Sequence, residues 1–430
     1  MKTKNSLQYL LIISMILPGT GLFSQTKSPV LSGQEKLLMY QGHEEMRESS
    51  SFKELHWQFI GPTNISGRCT DVEALGPKGE NYTIWVATAS SGVWKSINEG
   101  TSFEPVFEHQ GTSTIGDLAI SPSNPEIVWV GTGEANIFRS SNPGCGVWLT
   151  TDGGKSWEHK GLEETFTISR ILVHPQNPDI VYVAASGHEW TQNKERGLFK
   201  TTNGGESWEK VLYKGPESGV NDLVMDPRDP DILYATTWQR TRLKWNDPRT
   251  FEDHKNNGVW KTTDGGKNWK QLKNGLPPSK YMGRTGIDVA RSNPDVVYAF
   301  VDDYEVAFKA EEGELDSYGR PKKDVIKGAT LYRSDDAGES WRQVSGLTEE
   351  TKKYMSGHSG TYGWVFGQMR VDPNNEDKIY VMGLGLNVSE DQGGTFQSLR
   401  GMHGDHHGLW IDPANSDYLV NVNDGGVAIS

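Results

Sequence analysis

Short apolar runs alternate with turn residues along most of the chain. In one stretch, IGDLAISP (115–122) has the pattern of a short apolar strand and SNPE that of a turn, and the pattern of a strand returns in IVWVGTG (127–133), GVWLT (146–150) and SWEHKGL (156–162). Short β-rich runs punctuated by Asn-Pro and Gly-Gly turns are typical of antiparallel strands that follow one another. The pattern therefore predicts a four-stranded antiparallel sheet.

An eight-residue motif, Ser/Thr-x-Asp/Asn-x-Gly-x-x-Trp/Phe, lies between the third and fourth predicted strands of each unit. Its side-chain oxygens can satisfy the backbone N–H groups of a turn, its glycine allows a positive φ, and its aromatic residue can pack between sheets. Because the regular oxygen ligands of a calcium loop are absent, we interpret the motif as a structural hairpin. Its Asp/Asn positions are Asn98, Asp152, Asn203, Asp264, Asp336 and Asp391.

The second strand of the unit recurs seven times, as YTIWVATA, EIVWVGTG, DIVYVAAS, DILYATT, DVVYAFV, KIYVMG and YLVNVN. Radial repetition of such sheets protects nearly all strand edges, so we predict an all-β fold, a β-propeller of four-stranded antiparallel blades, most simply seven. The seventh unit stops at Ser430 without its fourth strand. Either WQFIG (57–61) supplies that strand, or the sequence is the N-terminal part of a longer protein, and both can hold.

The N-terminus has the features of a secretory signal peptide, with Lys2 and Lys4 before an apolar stretch too short to cross a bilayer. We predict a signal peptide at 1–24, a linker at 25–54 and the propeller at 55–430. The mature protein is then secreted to the extracellular space or the periplasm, without a transmembrane segment. In such a compartment Cys69 and Cys145 could pair, and the sequence leaves this open.

The formal net charge of -13 argues against nucleic acid or an anionic membrane as a partner, because either would favour a basic patch. No sequence pattern points to a cofactor.

The motif resembles the Asp-box, or BNR, repeat of sialidases, other secreted glycoside hydrolases and sortilin receptors. The stretch from Trp57 to Ser430 is similar to the sortilin N-terminal-like propellers of secreted bacterial proteins. This resemblance implies that the motifs are structural and lie on the face opposite the ligand site. It also implies peptide, protein or glycan ligands.

The opposite face carries the links into the first strands and the loops between second and third strands, and we expect function there. Aligning the units on their Asn-Pro turns places Asp71, Asp117, Arg170, Asp222, Gln368 and Gly408 at one level around a central channel. These residues either pair with one another or form a polar pocket. The candidate ligand-binding residues are Arg68, Asp71, Arg170, His188, Trp190, Trp238, Arg240, Arg284, His406 and His407.

The segment MHGDHHGLW (402–410) is the densest cluster of potential metal ligands, with His403, Asp405, His406 and His407. Neighbouring residues of an extended segment point to opposite faces, so few of these side chains can converge. We therefore expect hydrogen bonding at the channel mouth and predict no metal site.

Two functions remain open. The first is a binding module for a peptide or glycan, in which Trp190, Trp238, Trp245 and Trp364 could stack on the ligand and arginines could hold a carboxylate. The second is a glycoside hydrolase, with Glu134 and Glu189, or Asp117 and Asp405, as the acidic pair. A sialidase would use Arg68, Arg170, Arg284 and a tyrosine such as Tyr362, but the Arg-Ile-Pro segment is missing. We favour binding.

Overall fold

Seven antiparallel sheets follow one another along the chain. The computed structural model describes residues 31–55, 61, 65–78, 81–136, 141–241, 254–315, 319, 321–322, 324–349, 351–352, 354–355 and 366–430. Within these residues six sheets have four strands and the last has three, each in sequence order. The predicted seven-bladed propeller is thereby confirmed.

Each blade consists of strands that are consecutive in the chain. Blade one contains β1 (Cys69–Lys78), β2 (Asn81–Thr88), β3 (Val93–Ser96) and β4 (Glu104–Pro105); blade two contains β5 (Ile115–Ile120), β6 (Val128–Thr132), β7 (Val147–Thr150) and β8 (Glu158–His159); blade three contains β9 (Ile168–Val173), β10 (Val181–Ala185), β11 (Gly197–Thr201) and β12 (Glu209–Leu212). Blade four contains β13 (Ser218–Met225), β14 (Leu233–Gln239), β15 (Gly258–Thr262) and β16 (Lys270–Leu272); blade five contains β17 (Met282–Val289), β18 (Val297–Phe308), β19 (Val325–Ser334) and β20 (Arg342–Gln343). Blade six contains β21 (Met369–Asp372), β22 (Asn375–Met382), β23 (Leu386–Ser389) and β24 (Gln397–Leu399); blade seven contains β25 (His406–Asp412), β26 (Asn415–Asn423) and β27 (Gly426–Ile429).

The first strands form the inner wall of the propeller. β1 packs against both β5 and β25, so blade seven meets blade one and the ring closes. The successive first strands of blades two to six also pack side by side. The segment 57–61, predicted to supply the missing strand of blade seven, lies outside the described residues except for Gly61.

Apolar side chains fill the spaces between neighbouring blades. Between blades two and three, Trp129, Val147, Ile168, Val183 and Phe199 form one buried cluster. Each blade is therefore covered on both faces by its neighbours, which explains why most second strands are apolar runs; β26, with Asn421 and Asn423, is an exception.

The repeated motif forms the hairpin between the third and fourth strands. In blade two, Asp152 Oδ1 accepts hydrogen bonds from the Thr150 hydroxyl at 2.8 Å and the Ser156 amide at 2.9 Å. The Gly154 amide donates to Thr150 Oγ1 at 2.9 Å, and Gly154 has a φ of 94°. The Ser156 hydroxyl bond contributes most to lowering the pKa of Asp152 to about 2. The motif is a turn stabilised by its own side chains, as the sequence predicts.

The motif's aromatic residue connects neighbouring blades in two of the copies. The Trp157 indole donates to the Val106 carbonyl at 2.6 Å, and the Trp208 indole donates to the Lys160 carbonyl at 2.7 Å, each in the preceding blade. In blade four the Trp269 indole donates within its own hairpin. The motif therefore stabilises both the turn and the contact between sheets.

The predicted linker at 25–54 contains a helix, α1 (Gly33–Ser49), which begins with a capping box formed by Ser32 and Glu35. Its Tyr40 packs edge-on against Trp148 of blade two at 6.0 Å between ring centroids. Its Lys36 Nζ lies 4.5 Å from the centroid of the Phe166 ring, where the chain enters blade three. The helix is therefore docked on the propeller.

Cys69 and Cys145, whose pairing the sequence leaves open, are both buried and do not form a disulfide. In blade five, β18 and β19 are longer than the corresponding strands of other blades and continue as a hairpin as far as the pair Phe308 and Val325. Some residues of that hairpin lie outside the described part.

Candidate functional site on the face opposite the hairpins

The face opposite the motif hairpins is here called the site face. It is formed by the loops from second to third strands and by the links that enter the first strands, because these connections share one end of every blade. The loops that differ in length and sequence from blade to blade lie on the site face. The nearly identical motif hairpins lie on the opposite face.

The central channel contains an ion cluster below the site face. Arg170 of blade three forms ion pairs with Asp117 at 3.0 Å, Asp222 at 3.2 Å and Asp71 at 3.9 Å. All four side chains are buried. Although burial opposes it, Asp117 and Asp222 raise the pKa of Arg170, so the guanidinium stays charged.

The carboxylates of the ion cluster also join neighbouring blades. Each accepts a hydrogen bond from a backbone amide of the next blade. Burial raises the pKa of Asp71 and of Asp117, and Arg170 opposes that effect. The bonds run from Leu118 to Asp71 at 3.2 Å, from Ile171 to Asp117 at 2.6 Å and from Ile287 to Asp222 at 3.0 Å.

A short loop of blade two, residues 134–136, crosses the channel mouth and is held by three arginines from other blades. The loop supplies one carboxylate, two backbone carbonyls and one side-chain amide. The contacts are Arg68 Nε with Glu134 Oε1 at 2.5 Å, Arg68 with the Asn136 carbonyl at 3.2 Å, Arg240 with the Ala135 carbonyl at 3.3 Å and Arg284 with Asn136 Oδ1 at 2.6 Å.

Burial dominates the electrostatics of this loop. It raises the pKa of Glu134 to about 7, with Arg68 opposing it. Burial, together with the neighbouring Arg240, lowers the pKa of Arg284 to about 9. Both shifts favour the neutral form, as expected for charges removed from water, although a guanidinium with a pKa of about 9 still carries its charge at neutral pH.

Blade seven brings an Asp-His pair to the same mouth. His407 Nε2 lies 2.8 Å from Asp424 Oδ1, and its ring stacks on Phe366 at 5.5 Å between centroids. Burial lowers the pKa of His407 to about 4, so the neutral imidazole donates to the carboxylate. The adjacent His406 instead contacts Asn421 at 2.7 Å. The two histidines thus have different partners, as the extended segment predicts.

Arg68 connects the two acidic groups of the mouth. Its Nε lies 2.5 Å from Glu134 and 3.7 Å from Asp424, and its side chain is 18% exposed. Against the effect of burial, His407 and Arg68 lower the pKa of Asp424. Burial and the nearby Asp424 raise the pKa of Asp405.

The rim of blade three carries the candidate aromatic platform. Trp190 is 41% exposed. The His188 ring stacks on Phe166 at 3.9 Å between centroids, and Arg196, which is fully buried, donates to the Thr191 carbonyl at 2.8 Å and to Asn193 at 2.7 Å. The loop that presents Trp190 is therefore braced from within.

The candidate residues fall into two groups by burial. Arg68, His188, Trp190, Asp405 and Asp424 reach the surface of the site face. A second group is buried in or around the channel and is bonded there or packed in the protein interior. It contains Asp71, Asp117, Glu134, Arg170, Glu189, Trp238, Arg240, Arg284, His406 and His407.

The acidic pairs proposed from the sequence have different surroundings. Glu189 is close enough to Glu134 to contribute to the raised pKa of that residue. Asp117 is bonded to Arg170 and the Ile171 amide within the ion cluster. Tyr362, Trp245 and Trp364 lie outside the described residues.

Among the residues that the structure describes, no group of three or more His, Cys, Asp or Glu side chains is arranged to hold a metal ion.

Asp424 is the mouth residue that the sequence reasoning missed. It directly follows the second strand of blade seven in the turn NDGG (423–426), and Glu134 lies in the corresponding loop of blade two, one residue further from its strand. Comparing the residues that directly follow each second strand would have found it.

Comparisons with known proteins agree with this architecture. The family model described as "Sortilin, neurotensin receptor 3" matches residues 145–311. The xyloglucanase Xgh74A of Acetivibrio thermocellus is 24% identical over 242 residues, which are 52% of this chain and 25% of that protein. A probable oligoxyloglucan-reducing end-specific xyloglucanase of Neosartorya fischeri is 22% identical over 406 residues, 84% of this chain and 44% of that protein. The chain therefore spans less than half the length of these curated relatives.

Solved structures show the same fold. The GH74 xyloglucanase from Xanthomonas campestris superposes with a TM-score of 0.58 at 15% identity, covering 86% of this chain and 53% of that one. YCF48 bound to D1 peptide superposes with a TM-score of 0.51 at 12% identity, covering 87% and 96%. The chain is thus a β-propeller distantly similar to xyloglucanases of the GH74 type. Among the described residues, no helix combines the length and the apolar character needed to span a membrane.

Proposed function

We propose that this propeller is a binding module for a carbohydrate ligand, which lies on the site face across the channel mouth. The observation that carries the proposal is that three accessible side chains share the site face. Two are polar, Arg68 and Asp424, and the third is the exposed Trp190. Polar edges suit hydroxyl groups, and an indole face suits the apolar face of a sugar ring. The xyloglucanase relatives favour a glycan over a peptide.

Burial argues for binding over catalysis. Glu134 is 3% exposed and paired with Arg68, and Asp117 is enclosed in the ion cluster. A general acid must reach the leaving oxygen of its substrate. The accessible groups are those that recognise a ligand.

We test this by applying the protein to an array of xyloglucan oligosaccharides, other plant and bacterial glycans, and peptides. Binding to one class of glycans, weakened at least tenfold by Trp190→Ala, is the expected result. Binding of peptides without binding of glycans would show that the ligand is a peptide and not a carbohydrate. Binding that Trp190→Ala leaves unchanged would show that the ligand does not contact Trp190.

A glycoside hydrolase is the second candidate, favoured by one distance relation. Since Glu134 and Asp424 both lie within 3.7 Å of Arg68 Nε, their nearest oxygens are within about 6 Å of each other, compatible with the roughly 5–9.5 Å between glycosidase carboxyl groups. Their pKa shifts run in opposite directions, as an acid and an ionised nucleophile require. Glu134 would protonate the leaving glycosidic oxygen while Asp424 attacks the anomeric carbon, and a water that gives its proton to Glu134 would then hydrolyse the glycosyl ester and release Asp424.

The test for this candidate is release of reducing sugar from xyloglucan. Activity lost in both Glu134→Gln and Asp424→Asn but kept in Asp417→Asn, an exposed aspartate of the same blade, would establish it. No release by the unmodified protein would leave binding alone.

We also propose that residues 1–24 direct export, that 25–54 precede the propeller domain at 55–430, and that the protein acts outside the cytoplasm. Mass analysis of the N-terminus of the exported protein tests the first boundary.

A further inference from the structure

The channel contains a cavity of about 190 Å³ on the hairpin side of the ion cluster. Its walls include Arg170 and Asp222 of that cluster, which separate it from the site face. At its other end lie Arg291, Pro373 and Pro413, which follow first strands and therefore stand on the hairpin face. We call this cavity the lower chamber.

A ring of residues at one level of the seven first strands surrounds the lower chamber, and six of the seven line it. Each ring residue lies opposite the same position of the second strand in its own blade. That position directly follows the residue that faces the Ser or Thr of the motif. All seven ring residues therefore lie at one level. They are Glu73 opposite Trp85, Ala119 opposite Trp129, Leu172 opposite Tyr182, Val224 opposite Tyr234, Asp288 opposite Tyr298, Arg370 opposite Tyr380 and Trp410 opposite Val420.

The ring has an apolar half and a polar half. Blades three and four contribute Leu172 and Val224 to the lining, whereas Ala119 of blade two belongs to the buried cluster between blades two and three. Blades five, six, seven and one contribute Asp288, Arg370, Trp410 and Glu73. A ligand that fills this cavity must therefore be apolar on one side and charged on the other.

Two opposite charges of the polar half flank Trp410 and do not pair with each other. Arg370 donates to the Met369 carbonyl at 2.8 Å, and among the described residues neither Arg370 nor Glu73 forms an ion pair. Asp288 differs, because both of its oxygens accept backbone amides, from Val289 at 3.0 Å and Val371 at 2.8 Å. Besides Arg291 at the hairpin end, the groups left to meet a ligand are the Arg370 guanidinium and the Glu73 carboxyl.

Burial raises the pKa of Glu73 to about 7, with Asp71 adding to the shift and Arg370 opposing it. This is the behaviour of a desolvated carboxyl that lacks a close cation. An ammonium group within the chamber would supply that cation.

We propose that the lower chamber is a second binding site, distinct from the site face, for a small zwitterion of the α-amino acid type with an apolar side chain. The ligand carboxylate pairs with Arg370, its ammonium pairs with Glu73, and its side chain packs against Leu172 and Val224. The cavity is smaller than the roughly 300–1,000 Å³ of pockets for drug-sized ligands, which fits a single amino acid.

The test is calorimetric titration of the full chain with L-leucine, L-leucinamide and N-acetyl-L-leucine. We expect binding of leucine, and affinity at least tenfold lower for leucinamide, which lacks the carboxylate, and for N-acetyl-leucine, which lacks the ammonium. Absence of leucine binding at millimolar concentration, or equal binding of all three, would overturn the proposal.

Two substitutions locate the site. Arg370→Gln and Glu73→Gln should each weaken leucine binding at least tenfold while leaving the unfolding temperature nearly unchanged, because neither side chain holds an ion pair. Trp190→Ala should leave leucine binding intact, since Trp190 lies on the other face. Leucine binding that persists in both channel variants would contradict the assignment, and failure of glycan binding would not affect it.

Discussion

Removal of Arg170 tests how the channel is built. Arg170→Met leaves Asp71, Asp117 and Asp222 buried around an apolar side chain. Breaking a buried ion pair by removing one partner costs about 3–5 kcal/mol. A carboxyl can instead take up a proton, and this sets an upper limit on the loss of stability. Neutralising an aspartate with an ordinary pKa of 3.8 at pH 7 requires about 4 kcal/mol, at 1.36 kcal/mol per pH unit. We therefore expect the free energy of unfolding at pH 7 to fall by about 3–5 kcal/mol.

The pH dependence of this loss has a definite sign. In the variant the buried carboxyls lose the cation that opposes the effect of burial, so their pKa values rise further and the folded state binds more protons than the unfolded state above the ordinary aspartate pKa. Stability then falls as pH rises, and the deficit should shrink by about 1.4 kcal/mol per pH unit for each proton taken up between pH 7 and pH 5.

Urea unfolding followed by tryptophan fluorescence at several pH values measures both effects. Arg291→Met, which removes an exposed arginine of the hairpin face, serves as the control and should change stability by less than about 0.5 kcal/mol. A loss below about 1 kcal/mol for Arg170→Met, or a loss that does not depend on pH, would refute the role of the ion cluster.

Two further predictions concern the motif hairpin and the histidine of the mouth. Asp152→Ala removes the acceptor of the hairpin amides and should lower the free energy of unfolding, measured with urea at pH 7, by about 1–2 kcal/mol, as for a helix-capping aspartate. Because the pKa of Asp152 is lowered to about 2, this stabilisation is present above pH 4 and lost toward pH 2. A difference in stability that is unchanged at pH 2 would contradict it. His407 should remain neutral until about pH 4, so NMR titration of its ring should show no midpoint near pH 6.5. Because its pKa is lowered in the folded state, His407 decreases the free energy of unfolding as the pH falls below 6.5. A midpoint near pH 6.5 would show that the ring is not buried against Asp424.

The sequence predicts the fold well because the fold is local and repeated. The motif that begins at Thr150 combines a turn donor, a turn acceptor and a positive-φ glycine within a few residues, and each copy forms the hairpin that this chemistry requires. The aligned level of Asp71, Asp117, Arg170 and Asp222 was predicted from the turns alone, and the ion cluster joins those four residues.

The parts that the sequence did not predict depend on contacts between distant segments. The mouth of the channel is formed by Glu134 and Asp424, brought together by the closure of the ring rather than by any local pattern. Helix α1 has a readable start in the capping box of Ser32 and Glu35, but its docking depends on Trp148 and Phe166 more than a hundred residues away. The division of the lower chamber into two halves likewise requires the register of all seven blades.

The central claim is that the ligand lies on the site face and not on the repeat hairpins. Calorimetric titration of the best glycan from the array into the unmodified protein, Trp190→Ala and Ile97→Ala measures it most directly. Ile97 is 71% exposed in the hairpin turn of blade one and is the matched control on the opposite face. We predict that Trp190→Ala lowers the affinity at least tenfold, about 1.4 kcal/mol, and that Ile97→Ala leaves it unchanged. Loss of affinity in Ile97→Ala with full affinity in Trp190→Ala would contradict the claim.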